Sequence, residues 1–250
     1  MMRIAALLLL LQDKPDPHLE AIREALKKTS ADAYTYEVKG KYEREGEWHP
    51  SGVLTSRIKL YQSARAGEKI LVKGPEGLWK TPDERLGEKV EKPDPEAEPI
   101  VRLLQETEPP HVIVERALKA VAKGRAPEDR EVDGIACRRY VLDIARDLLR
   151  EYLEAHLDRA VRAGSVSRPD EIRWSSTMKG SVAVYVGRKD GRLVKVKDDR
   201  SVKLAYKSAE GGQPDLKTYK LELEIDLSKW ADTKLSLAQE VKERLGVKDE

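Results

Sequence analysis

The sequence predicts an α+β domain built on one antiparallel, strongly curved sheet. Three observations point there. Apolar residues alternate at period two over 34–38, 182–186 and 219–227, the spacing of a half-buried strand. Short turns join neighbouring stretches at Ala66-Gly67, Gly74-Pro75-Glu76-Gly77 and Lys189-Asp190-Gly191. Stripes at helical spacing stand at the start and in the middle of the chain, not between every pair of strands.

Asp16 followed by Pro17 is an N-cap with proline at the first helical position. Leu19, Ile22 and Leu26 then share one stripe, which predicts a helix over 17–29. Tyr34, Tyr36 and Val38 alternate with Thr35, Glu37 and Lys39 in a strand that can run on to Tyr42. A second strand is expected over 51–63, with Leu54, Ser56, Ile58 and Leu60 on one face. Ile70-Leu71-Val72 and Leu78-Trp79 continue the meander.

The acidic, Pro-rich stretch 90–99 reads as a loop. Helices follow at 97–107 and 111–123, the second stopped by Gly124. Val132-Asp133-Gly134 opens a strand that runs through Cys137 and Tyr140 to Ile144. A long helix is expected at 145–163, with His156 on its apolar stripe and Glu151, Glu154 and Asp158 on a solvated face. The last third returns to strands near 182–186, 193–196, 202–206 and 219–227, and 236–245 suits a terminal helix. About nine strands result, and their continuity favours one domain.

Hydrophobic residues make up 40% of the 250, enough for a packed core. Charges are abundant but balanced: 47 Lys+Arg against 45 Asp+Glu leave +2, without the basic excess of a dedicated nucleic-acid binder. No run of about 18 apolar residues occurs, which excludes a spanning helix. One cysteine excludes intrachain disulfides and two-Cys zinc motifs. The basic stretch 192–207 alternates outward and reads as an edge defended against aggregation, with a surface for acidic partners as the alternative.

No catalytic motif is present. His18, His49, His111 and His156 have no joint ligand spacing, and neither H-E-x-x-H nor G-x-S-x-G occurs. His156 reads as a structural histidine, His49 as solvent-facing in a hairpin turn, and Cys137 as a buried, inert thiol. At the N-terminus, Met1-Met2-Arg3 precedes eight apolar residues, Ile4–Leu11. That n- and h-region pattern predicts an export segment over 1–12; a hydrophobic start to the fold is the alternative.

Several stretches in order carry a family likeness: Gly52-x-Leu54, Ile70-Leu71-Val72 with Gly74, and Leu78-Trp79. Val132-Asp133-Gly134-x-x-Cys137-x-x-Tyr140 and Val184-Tyr185-Val186-x-x-x-Asp190-Gly191-x-Leu193-x-Lys195 follow. Over about 30–230 the chain resembles the LolA/LppX-like superfamily, which includes the periplasmic lipoprotein carrier LolA and the sensor domain of RseB. The resemblance implies a half-open β-barrel over 16–230 with helices plugging its concave face, then a tail at 231–250. Two departures stand out: Leu60-Tyr61-Gln62 replaces the carrier's Arg-Pro pair, and the 145–163 helix enlarges the segment before the late hairpin.

The resemblance further implies an exported, non-enzymatic binding protein of the bacterial envelope, periplasmic or otherwise extracytoplasmic. It would hold a lipid acyl chain or lipoprotein as carrier or sensor, with no cofactor, no metal, no nucleic acid and at most peripheral membrane contact. Envelope proteins are further candidate partners. Tyr36, Val38, Leu54, Ile58, Trp79 and Tyr140 are the candidates to line the cavity, since period places them inward and aromatic rings combine apolar area with a polar tip. The alternative is an interaction or structural module with a closed core and no ligand.

Overall fold

The computed structural model describes residues 16–40, 43–87, 97–119, 121–144, 150, 151, 154, 158, 171–174, 179–207, 215–234 and 236–248. The export segment, most of the 90–99 loop, and most of the 145–163 helix with His156 lie outside the described residues.

The chain begins with α1 (Pro17–Ser30), then a meander of β1 (Tyr34–Lys39), β2 (Arg44–His49), β3 (Val53–Ile58), β4 (Tyr61–Ala66), β5 (Lys69–Lys73) and β6 (Trp79–Lys80). Three helices follow: α2 (Pro82–Leu86), α3 (Ala97–Glu106) and α4 (Pro110–Lys119). Then come β7 (Val121–Gly124), β8 (Glu128–Val132), β9 (Ile135–Ile144), β10 (Glu171–Trp174), β11 (Lys179–Gly187), β12 (Leu193–Lys207), β13 (Asp215–Ser228) and α5 (Gln239–Leu245). Among the described residues these thirteen strands form one sheet with every ladder antiparallel.

Local chemistry sets the helix ends. Asp16 accepts the His18 N–H at 2.8 Å and the Gly124 N–H at 3.1 Å, so one carboxylate both caps α1 and ties it to β7. α2 carries a full capping box between Thr81 and Glu84 with Pro82 at its first position.

The half-open barrel is corrected. The strands run in the order β6-β5-β4-β3-β2-β1-β13-β12-β11-β9-β7, and the two ends do not pair. The sheet is open, neither closed nor strongly curled. The ends are occupied in other ways. β6 is two residues long, and the carbonyls of Leu78, just before it, and Trp79 accept from Arg85 and Arg244, each at 2.6 Å. Helices also lie on both faces: α1, α3 and α4 pack on one, α5 on the other.

Several expected elements are revised. The 51–63 strand is two strands joined by Lys59-Leu60, with Lys59 at φ 52 and Leu60 72% exposed. The 111–123 helix stops at Lys119, because Val121–Gly124 pairs with β9 instead. β2, with its glycine and charges, is a strand the hydropathy pattern hid, and His49 sits half-buried at its end. The 192–207 stretch is no edge: β12 lies between β13 and β11. Its Lys195 pairs with Glu224 and with Asp226 at 2.9 Å, and Lys197 meets Glu224 at 2.8 Å.

The helical face carries two separate apolar cores. The larger joins Ile22, Ala25 and Leu26 of α1 and Val114 and Ala117 of α4 to Tyr36, Val38, Leu54, Tyr140, Val184 and Ile225 of the sheet. The smaller joins Ile100, Val101 and Leu104 of α3 to Ile58, Tyr61 and Val72. On the opposite face Val241 and Leu245 of α5 cover Ala64 and Leu71.

Candidate ligand-binding cleft

The two cores meet at β2. Val38 faces Ile225 on one side and Arg44 on the other, and Ile58 faces Tyr61. Arg44 therefore interrupts an otherwise apolar cross-strand row, with Val38 of the larger core on one flank and Ile58 of the smaller on the other. A cleft of about 580 Å³ borders Val38, Arg44 and Ile58. Its lining also includes Glu37, Lys39, Glu45 and Arg57, which the Glu37↔Glu45, Glu45↔Arg57 and Lys39↔Glu224 pairs set on the face opposite the helices, with Glu43 and Lys59 beside them. Its volume lies within the roughly 300–1,000 Å³ of small-molecule sites.

Tyr36 borders the same seam. Its hydroxyl donates to the Thr55 carbonyl at 3.0 Å and shares a hydrogen bond with Ser56 Oγ, reaching across β2 over Gly46. A Cβ at position 46 would lie 2.5 Å from that hydroxyl oxygen, so the residue there has to be glycine. Burial pushes the Tyr36 phenol up to about 12, which keeps it a neutral donor.

Two arginines cross from the sheet to the end of α3. Arg65 donates to the Thr107 carbonyl at 3.1 Å and to the Gln105 carbonyl, and Arg44 Nη1 donates to Thr107 Oγ1 at 3.5 Å. Unfilled carbonyls at a helix C-terminus carry partial negative charge, which suits two cations. Burial pushes both guanidinium groups below the ordinary arginine range. Arg44 Nε is buried and has no hydrogen-bond partner among the described residues.

A second polar feature escaped the sequence. His111 is 5% exposed; its Nδ1 lies 2.8 Å from the Tyr34 hydroxyl, and its ring stands edge-on to Trp48 at 4.8 Å. Trp230 packs on Tyr34 at 5.2 Å. Burial pushes the imidazole down to about 4, so it is neutral at physiological pH. The legible signal was spacing: His111, Val114 and Leu118 fall on one face of α4 and all are buried.

Five of the six sequence candidates share the helical face: Tyr36, Val38, Leu54 and Tyr140 in the larger core, Ile58 in the smaller. Of these, Val38 and Ile58 reach the cleft. Trp79 lies on the opposite face against α5, and borders a separate groove of about 360 Å³ with Thr35, Glu47, Thr55 and Leu237. Cys137 is buried, and burial pushes its thiol up. Among the described residues no group of three or more His, Cys, Asp and Glu side chains is placed to hold a metal ion.

No family model and no curated protein matches the chain. Among solved structures it is similar to the lipoprotein LppX of Mycobacterium tuberculosis, at 13% identity over 88% of this chain and 97% of that one, TM-score 0.47. It is similar to LprF of Mycobacterium bovis, at 10% identity over 88% and 95%, TM-score 0.43. A LolA superfamily protein of Nitrosomonas europaea matches at 10% identity over 86% and 94%, TM-score 0.25.

Proposed function

We propose that the chain is a non-enzymatic carrier or sensor of the bacterial envelope that takes up a lipid acyl chain. Binding occurs at the seam between the two cores, with entry through the cleft at Val38 and Ile58. The carrying observation is that the helical face buries two distinct apolar clusters instead of one, with Val38 of the larger and Ile58 of the smaller both bordering one cleft. An acyl chain placed there gains about 0.8 kcal/mol per buried CH₂. A dissociation constant of 10 µM requires only about −7 kcal/mol, so a chain of ordinary length suffices even after its ordering cost. Tyr36, Leu54 and Tyr140 lie deeper in the larger core and become acyl contacts as α1 and α4 yield.

The test is lipid extraction and native mass spectrometry of the full chain purified from envelope fractions, beside Val38→Trp and Trp79→Ala. Acyl lipid should accompany the wild type and Trp79→Ala, and diminish in Val38→Trp. A wild type that carries no lipid and binds no fluorescent fatty acid at tens of micromolar sinks the carrier and leaves a closed interaction module. Recovery of the full-length chain from the cytosol alone would sink the envelope assignment.

A further inference from the structure

We infer that the α5 face of the sheet carries a second binding site, a groove that takes a short, uncharged saccharide, with Trp79 as its platform and Glu47 and Gln62 as its hydrogen-bonding groups. It lies on the face away from the acyl seam and stands apart from the carrier reading. The register builds it from two neighbouring rows across the sheet. Thr35, Glu47, Thr55, Ala64 and Leu71 follow one another in the first row. Glu45, Arg57, Gln62, Lys73 and Trp79 follow in the second. Leu71 and Trp79 pack with α5, so both rows belong to its face. Leu237 and Trp79 bound the groove at the α5 side. At the other side Thr233 hydrogen-bonds Thr35 at 3.1 Å and Lys229 joins the wall. The space between is about 360 Å³, within the range of small-molecule sites.

The chemistry of the lining selects the guest. Its charged residues are Glu45, Glu47, Arg57 and Lys229, which sum to zero and leave no excess for an ion. Arg57 and Glu45 are in contact, and Lys229 offsets part of the rise that burial imposes on the Glu47 carboxyl. Unmet hydrogen-bonding capacity remains. Glu47 and Gln62 are half-buried, and among the described residues no hydrogen bond or close ion pair engages the carboxylate of the first or the amide of the second. A carboxylate and an amide each present two adjacent polar atoms, a spacing that neighbouring hydroxyls of a pyranose ring match. The same ring offers an apolar face of C–H groups, which the negative face of an indole attracts. An extended peptide fits less well. The floor is a sheet face whose backbone groups are already paired, and only a sheet edge offers new ladder partners.

The experiment is fluorine NMR on the full chain labelled with fluorotryptophan, titrated with cellotriose, maltotriose and triacetylchitotriose. The Trp79 resonance is assigned by its absence in Trp79→Phe. At least one sugar should shift it with a dissociation constant below about 1 mM. Trp48, which packs on the helical face, should stay in place. Binding should be the same at low and high salt, since the guest is uncharged. Gln62→Ala and Glu47→Ala should each weaken it about three- to tenfold, the loss expected of one hydrogen-bonding group. No shift with any of the three sugars at about 10 mM, or binding that survives both substitutions unchanged, overturns the site. Binding that strengthens markedly at low salt overturns the uncharged guest. A pentaserine peptide that shifts Trp79 as strongly as the best sugar overturns the saccharide and leaves a peptide groove. Lipid carriage is read separately, at the other face, and stands or falls on its own test.

Discussion

Tyr36 and Gly46 face each other across β1 and β2, and the phenol of the first fills the space that a side chain at the second would need. The missing Cβ is what lets a β1 side chain hydrogen-bond to β3. Gly46→Ala places a methyl 2.1 Å from the Thr55 carbonyl oxygen, 2.5 Å from Tyr36 Oη and 2.7 Å from Cζ. Overpacking of that kind costs about 1–3 kcal/mol. Urea unfolding should show the midpoint falling with an unchanged slope.

Tyr36→Phe keeps the ring and removes the hydroxyl that Ser56 and Thr55 use. Ser56 is buried at 3% exposure, so its Oγ loses its partner inside the sheet. The expected loss is about 1–3 kcal/mol. Tyr36→Phe with Ser56→Ala in one chain should recover much of it, and a double-mutant cycle measures how much.

His111 makes stability depend on pH. Its folded value, about 4, lies below the ordinary 6.5 because burial disfavours the imidazolium. Between those values the unfolded chain binds the extra proton. The contribution is therefore complete above about pH 6.5 and is lost as pH falls toward 4, in total about 3 kcal/mol. Unfolding free energies at pH 7, 5.5 and 4.5 should trace this decline. In His111→Gln the chain should be weaker at pH 7 and the slope between pH 6.5 and 4 should flatten.

Glu224 governs a lower window on the other face. Hydrogen bonds from Lys195 and Lys197 hold its carboxyl down to about 2. Stability from this group is present above about pH 4.5 and is lost as pH falls through 2. The side chain is 29% exposed, so solvent screening reduces the effect of Glu224→Gln to about 1 kcal/mol at neutral pH. Added salt should shrink the difference between variant and wild type, as thermal melts at two ionic strengths would show.

Lys59 occupies left-handed backbone at φ 52 in the turn between β3 and β4. A side chain there costs about 1 kcal/mol that glycine avoids. Lys59→Gly should raise the melting temperature slightly, the gain reduced by glycine's greater freedom in the unfolded chain.

The sequence displayed what depends on period. Asp16-Pro17 located the start of α1, and alternation placed Tyr36, Val38, Leu54, Ile58 and Tyr140 on a common face. It hid what depends on pairing partners. Lys59-Leu60 has none of the glycine or asparagine that marks a two-residue turn, so β3 and β4 read as one strand. Val121 continues a helical stripe in sequence and leaves it only because β9 offers a ladder. Trp79 falls on the face opposite Val72, since the Val72↔Lys80 register decides which of two neighbours points to α3. Arg44 was invisible for the same reason: nothing in a string of charges says that one of them sits between Val38 and Ile58.

The pairing of β1 with β13 also has a kinetic consequence. The centre of the sheet joins the first described strand to the last, and Lys39 and Asp226, which bridge it, are 187 residues apart in sequence. Every neighbour in the β1–β6 meander can find its partner within a short loop; β1's other neighbour is the last of the described strands to be synthesised. Such distant closure is slow, because the loop entropy is lost before any contact rewards it. During synthesis α1 also waits, since α4, β11 and β12, which cover it, follow later. The chain should consequently stay unlocked and protease-sensitive until β13 has emerged, then become protected in one late step.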